Sequence, residues 1–198
     1  SFAADPTLSI SGGLVTNAAM TATTDPKVWT YAWDVPDNTT ADGNVTVSIS
    51  VNDVAGNTNT LASGVNVYEI DNTAPMVTTN TISSNNSITP LTLAKEGNRI
   101  TVRILFDEAL FGDPTVSFRS SNIPVSNAVT IDDPTTTGIA DTYDAYFDVS
   151  SLDIEGEVSY TISFADAAGN LGSTVTISNS GLFIDKSAPT VSIVRQTP

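Results

Sequence analysis

An all-β chain built from tandem antiparallel sandwiches is predicted by three observations: apolar residues that alternate with period two, dense turn punctuation, and an internal duplication. Ile100, Val102, Ile104 and Phe106 alternate with Thr101, Arg103 and Leu105, and Val158, Tyr160, Ile162 and Phe164 with Ser159, Thr161 and Ser163. This is the pattern of strands with one buried face. Thr, Ser, Val and Ile abound, Gly, Pro, Asn and Asp recur at short intervals, and no helical stripe of useful length is present. The duplication pairs Val45 to Asn57 (VTVSISVNDVAGN) with Val158 to Asn170 (VSYTISFADAAGN), and Ile70 to Pro75 (IDNTAP) with Ile184 to Pro189 (IDKSAP). Its period of about 114 residues is too long for a solenoid repeat and suits one small domain.

In the complete copy, strands are expected near Met76 to Ser83, Arg99 to Asp107, Thr115 to Ser120, Val125 to Ile131, Thr142 to Val149, Glu157 to Ala165 and Ser173 to Ile184. Seven short antiparallel strands over roughly 115 residues predict an immunoglobulin-like sandwich, in architecture only, since the Cys and Trp hallmarks of antibody domains are missing. Asp5-Pro6-Thr7-Leu8-Ser9-Ile10 matches Asp113-Pro114-Thr115-Val116-Ser117-Phe118. The first copy therefore begins at its third strand. The expected organisation is a repeat over 1–74 that lacks its first two strands, a complete repeat over 75–188, and over 189–198 the first strand of a following repeat, because Thr190 to Arg195 repeats the opening at Met76. Exposed strand edges and an opened core would be unstable alone. Two readings stay open: a window cut from a longer array, with residue 1 a cut point, or missing strands supplied by another subunit.

Composition narrows the function. The 198 residues contain no Cys and no His, which removes disulfides, thiolate metal sites, the commonest general base and the commonest transition-metal ligand. Seven Lys and Arg stand against twenty-two Asp and Glu, a formal charge of −15. Such a surface repels nucleic acid and anionic lipid and attracts cations. No stretch is long and apolar enough to span a bilayer, no signal peptide opens the chain, and direct membrane insertion is not expected. Catalysis is not expected either. Asp132 and Asp133 are adjacent acids before Pro134 in a turn, whereas glycosidase chemistry needs two acids across a cleft. An internal isopeptide bond needs a buried Lys, and Lys95 and Lys186 sit in a polar turn and a linker. Trp29, Tyr31 and Trp33 share one face of a strand. Turned inward they fill a core; turned outward they make a stacking platform for a sugar or a protein.

The D-x-A-G-N loops (Asp53, Ala55, Gly56, Asn57; Asp166, Ala168, Gly169, Asn170), the I-D-x-x-A-P linkers, and the run Glu96 to Val102 leading into Phe106-Asp107-Glu108 carry a family likeness. Together they resemble the tandem bacterial Ig-like repeats of large cell-surface adhesins, over nearly the whole chain. Asp71 to Pro75 is also similar to the aspartate-rich linker of cadherins. The resemblance implies extracellular display at the bacterial cell surface, a stalk or spacer role in cell adhesion, and calcium at the joints between domains.

Topology points to the same ion. In a seven-strand sandwich of this order the loops after the second, fourth and sixth strands return to the end where the chain enters. Those loops carry Asp107 and Glu108, then Asp132, Asp133 and Asp141, then Asp166 and Asn170, while the linker brings Asp71 and Asn72. Like charges so crowded need solvent or a cation, and Ca²⁺ takes six to eight oxygens in flexible geometry. The expected ligands are Asp71 and Asn72 with Asp107, Glu108 and Asp166; Asp53 and Asp185 would belong to joints with the preceding and following repeats. Lys186 stands where Asn72 stands, which weakens that last joint. The competing reading is that D-x-x-G-N is simply turn chemistry. Function then lies among three classes: a spacer of an adhesin or filament with calcium-stiffened joints, a carbohydrate- or protein-binding module, and a filament subunit assembled by strand complementation. The partners are neighbouring repeats of the same chain or filament, and for the second class a host or surface glycan or protein.

Overall fold

Short β-branched and aromatic runs, cut every few residues by Gly, Asn, Asp or Pro, form seventeen strands and one 3-10 turn among the described residues. The structure, a computed structural model, describes residues 4–36, 42–61, 67–88, 92–132 and 141–193. The chain divides into two units, Ser1–Thr73 and Ala74–Pro198.

The first unit contains β1 (Thr7–Ile10), the 3-10 turn Ser11–Gly13, β2 (Val15–Ala19), β3 (Thr21–Ala22), β4 (Trp29–Thr30), β5 (Gly43–Asn52), β6 (Thr58–Leu61) and β7 (Val67–Ile70). One sheet runs β2-β1-β5-β6, with β7 paired to the first half of β5; β3 and β4 make a separate pair. Leu8 stands opposite Ile49 and Ile10 opposite Val47. The buried cluster is small: Leu8, Ile10, Val15 and Met20, with Trp29, Tyr31, Trp33, Val45, Val47 and Ile49 packed half-buried against it. The aromatic triplet thus turns inward. Only Trp29 of the three lies in a strand, since 31–36 has no regular structure.

The second unit contains β8 (Val77–Ser84), β9 (Leu93–Ala94), β10 (Arg99–Phe106), β11 (Thr115–Ser120), β12 (Ile123–Pro124), β13 (Thr130–Asp132), β14 (Thr142–Asp148), β15 (Gly156–Ser163), β16 (Val175–Ile177) and β17 (Phe183–Ile184). One sheet runs β13-β14-β10-β8 and the other β12-β11-β15-β17-β9, with β16 also on β15. Period-two alternation sends Ile100, Val102, Ile104 and Phe147 from the first sheet and Phe118, Val158, Tyr160 and Ile162 from the second into one core, each no more than 3% exposed. The ring centroids of Phe118 and Phe147 lie 4.9 Å apart, and those of Phe106 and Phe164 4.7 Å. This is an all-β sandwich. Arg103 and Asp144 pair across β10 and β14 at 2.6 Å, and Arg99 binds Asp148 at 2.9 Å while its guanidinium lies 3.9 Å above the Tyr146 ring.

Several strands differ from expectation, β12 among them, which has no counterpart in the expected set. The segment expected from Val125 to Ile131 pairs only over Thr130–Asp132. The buried Asp153 carboxylate accepts from Ser126 N–H at 2.7 Å and from Ser126 Oγ–H at 2.8 Å, which holds that stretch away from a ladder. The segment expected from Ser173 to Ile184 divides into β16 and β17, where Gly181 adopts φ +74° and Ser180 Oγ–H donates to Val158 C=O. A short strand absent from the sequence reading, β9, pairs parallel with β17, Phe183 beside Leu93 and Ile184 beside Ala94.

Candidate functional site

Hydrogen bonds gather the acidic loops of the second unit at the end where β8 begins. Asp107 accepts from Met76 N–H at 2.7 Å through Oδ1 and returns its own N–H to Met76 C=O at 3.1 Å. Phe106 N–H donates to Asp141 C=O at 2.9 Å, and Leu110 bridges to Asp166. The loops after β10, before β14 and after β15 therefore share this rim, together with the residue that opens β8. Asp132 is exposed at the end of β13, and Asp133 lies outside the described residues.

Within this unit Glu108 and Asp166 offer carboxylate oxygens within 4.8 Å of one another. Asp166 is 2% exposed. Its Oδ1 accepts from Gly169 N–H at 2.8 Å and Asn170 N–H at 2.9 Å, and its Oδ2 from Asn170 Nδ2–H at 2.8 Å. Burial pushes the Asp166 carboxyl up, but the Asn170 side chain and the loop amides outweigh it and hold it below the ordinary value. It stays ionised beside Glu108. Each carboxylate oxygen has about two acceptor positions, so Oδ2 could take one electrophile beside the Asn170 side-chain amide.

The first unit repeats this loop. Asp53 accepts from Ala55 N–H at 2.8 Å, Asn57 N–H at 2.9 Å and Asn57 Nδ2–H at 2.8 Å. The Asn57 side chain first, then its amide, hold the Asp53 carboxyl below its ordinary value. Asp53 is half-buried, and among the described residues neither it, Asp107 nor Asp185 belongs to a group of three or more acids poised to share an ion. Asp185 closes on itself, accepting from Ser187 N–H at 3.0 Å. Asp71, at the end of the first unit, likewise accepts from Thr73 N–H at 3.1 Å.

Two acids not singled out in the sequence reading hold the linkers. Asp42 accepts from Asn72 N–H at 2.7 Å through Oδ1 and from Thr73 Oγ1–H through Oδ2. The Thr73 hydroxyl first and the Asn72 amide second keep its carboxyl below the ordinary value. In the second unit Glu155 accepts from Lys186 N–H at 2.7 Å and from Ser187 Oγ–H at 3.0 Å. Lys186 Nζ itself donates to Ser151 C=O at 2.8 Å and to Asp153 C=O. Each acid directly precedes the glycine that opens the long central strand, Gly43 or Gly156, and the two lie 113 residues apart. That matched spacing was the available signal.

The first unit also holds an open apolar cavity of about 410 Å³, lined by Leu8, Ile10, Tyr31, Trp33, Val45 and Val47 among others. No helix among the described residues is long and apolar enough to cross a membrane. A scan against models of known protein families and a search of curated proteins both return no match.

Proposed function

We propose that the chain is a non-enzymatic spacer segment of a long, repetitive bacterial cell-surface adhesin or filament, displayed outside the cell, whose joints between repeats are stiffened by Ca²⁺. The observation that carries this reading is the adjacent Glu108–Asp166 pair, with the Asp166 carboxyl held below its ordinary value, on the rim where the linker enters the second unit. The donors are hard oxygens without thiolate or imidazole, a set suited to Ca²⁺ rather than to a transition metal. Asp166 Oδ2, Glu108 and linker Asp71 would hold the ion, and backbone carbonyls, the Asn72 amide and water would complete its six to eight oxygens. Covalent connectivity supports the role of Asp71. It is five residues from Met76, at most about 18 Å when fully extended, and Met76 is latched to Asp107 on the same rim. Asp107 in this scheme anchors the start of β8, while Asp53 and Asp185 offer the same chemistry to joints with further modules. The bound ion would neutralise acids that otherwise repel and would tie the linker to the sandwich it enters, removing the bending freedom expected by default between neighbouring domains. The net charge of −15 fits a surface that gathers cations and avoids nucleic acid and anionic lipid.

The test is small-angle X-ray scattering of the chain in CaCl₂ and in EDTA, with calorimetric titration of Ca²⁺. Calcium should lengthen the particle and narrow its distribution of shapes, and Glu108→Gln or Asp71→Asn should abolish both the heat and the change in scattering. Superimposable curves with and without chelator would sink the proposal.

A further inference from the structure

We propose that Asp42–Gly43 is a modification site: its conversion to isoaspartate is held back while Asn72 and Thr73 sit on the Asp42 carboxylate, and once converted it can no longer hold them. Of the twelve glycines in the chain only Gly43 follows an aspartate, and none follows an asparagine. The succession matters because the amide nitrogen of the following residue is the nucleophile that closes an aspartyl side chain into a five-membered imide, and glycine alone puts no Cβ in its way. Gly43 adopts φ +131°, and a Cβ added to it would meet nothing within 4 Å, so backbone conformation rather than crowding calls for glycine there. Asp42 is exposed, and water, the one other reactant, has access to it.

The atoms balance with water alone. Gly43 N bonds to Asp42 Cγ, the amide loses its proton, and one carboxyl oxygen leaves as water, giving the imide. Hydrolysis returns one water. Breaking the bond from N to Cγ regenerates aspartate; breaking the bond from N to the Asp42 carbonyl carbon leaves the main chain running through Cβ and Cγ, with the α-carboxylate free. The reacting form is the protonated carboxyl turned toward Gly43 N. In the folded chain both oxygens are engaged elsewhere, Oδ1 by Asn72 N–H at 2.7 Å and Oδ2 by Thr73 Oγ1–H. These bonds, that of the Thr73 hydroxyl first, hold the carboxyl below its ordinary value and shrink the protonated fraction. The ladder adds restraint, since Gly43 stands opposite Ile70 where β5 pairs with β7. Isoaspartate carries one more methylene in the main chain and sets its carboxylate one bond nearer to it, so Asn72 and Thr73 lose an acceptor of the right reach. The second unit holds an internal control. Glu155 precedes Gly156, whose φ is +140°, and accepts from the same two kinds of donor, Lys186 N–H at 2.7 Å and Ser187 Oγ–H at 3.0 Å. Its longer side chain would have to close a six-membered ring, a much slower reaction, so that latch does not age.

The test keeps the intact chain in EDTA, apart from any calcium at Asp71, and stores it at neutral pH and physiological temperature. Isoaspartate is counted by peptide mapping with electron-transfer fragmentation, which tells the two isomers apart at equal mass. A synthetic peptide of residues 38–47 gives the unrestrained rate. The folded chain should convert at Asp42 at least about tenfold more slowly than the peptide; Thr73→Val, at an exposed position, should quicken the folded chain about threefold, and Thr73→Ser should keep the wild-type rate. Tryptophan emission, from Trp29 and Trp33 of the same unit, checks that each variant is folded. In aged chains that carry isoaspartate, hydrogen exchange at Asn72 should be about tenfold faster than in fresh chains, with the Lys186 amide unchanged. Conversion of the wild type at the rate of the peptide, a Thr73→Val rate equal to that of the wild type, or slow exchange at Asn72 in isoaspartyl chains would each overturn the proposal.

Discussion

The D-x-A-G-N loop of each repeat closes on its own aspartate through three hydrogen bonds, but Asp166 is 2% exposed and Asp53 half-buried, so their removal has unequal consequences. Asp166→Ala strands the Gly169 and Asn170 amides where water cannot easily replace the carboxylate, a loss of about 2 kcal/mol. At Asp53 solvent can substitute. Thermal unfolding followed by circular dichroism should show a large drop in Tm of the second unit for Asp166→Ala and a small one of the first unit for Asp53→Ala. The pH dependence follows from the same bonds. Both carboxyls are held below their ordinary value in the folded chain, so their contribution is complete above the unfolded carboxylate range and lost as pH falls through the folded pKa. With no His to titrate, Tm should be level from about pH 5 to 8 and fall below about pH 4. A maximum centred near neutrality would contradict this assignment.

At the level of elements, the linkers are held by acids that precede the central strands. Glu155→Ala releases the Lys186 amide from its only side-chain acceptor among the described bonds, and hydrogen exchange at Lys186 should quicken about tenfold while β15 stays protected. An unchanged rate would mean that the linker is held elsewhere. Packing sets a second limit after β15: a Cβ added at Gly172 would lie 2.0 Å from Phe164 Cε2. Gly172→Ala should cost about 2 kcal/mol in urea unfolding, because a buried ring must move. The alternation that placed Ile100, Val102 and Ile104 in the core was legible because each strand buries one face, as were the identity of the two D-x-A-G-N loops and the gathering of acids near Met76. Other features rest on contacts distant in sequence. Asp153 reaches back to Ser126 and trims β13, β9 pairs parallel with β17 through two residues, and Asp42 acts on Asn72 thirty residues away. No local periodicity records such bonds. The direction in which Trp33 faces could not be read from its parity, which is the same for an inward and an outward stripe.

For the molecule as a whole, the two units should not share one stability. Among the described residues the second unit buries seventeen hydrophobic side chains in one cluster, whereas the first has a cluster of four and an open apolar cavity of about 410 Å³. Hydrophobic burial is the dominant favourable contribution to folding, and units of some seventy residues are marginal even with closed cores. The first unit should therefore unfold first. Its two tryptophans make it visible alone, because the second unit contains none. On heating, tryptophan emission should complete its transition about 10 °C or more before the far-UV signal, which reports the strands of both units. Tyrosine and phenylalanine packing in the second unit, where Phe118, Phe147 and Tyr160 stack, should persist through that first step and be lost in the later one. On the calcium joint proposed above, the metal should raise the second transition, since Glu108 and Asp166 belong to the second unit. Calorimetry with and without the metal would show that shift. A single transition seen alike by both probes would show that the open core costs the first unit far less than its geometry implies.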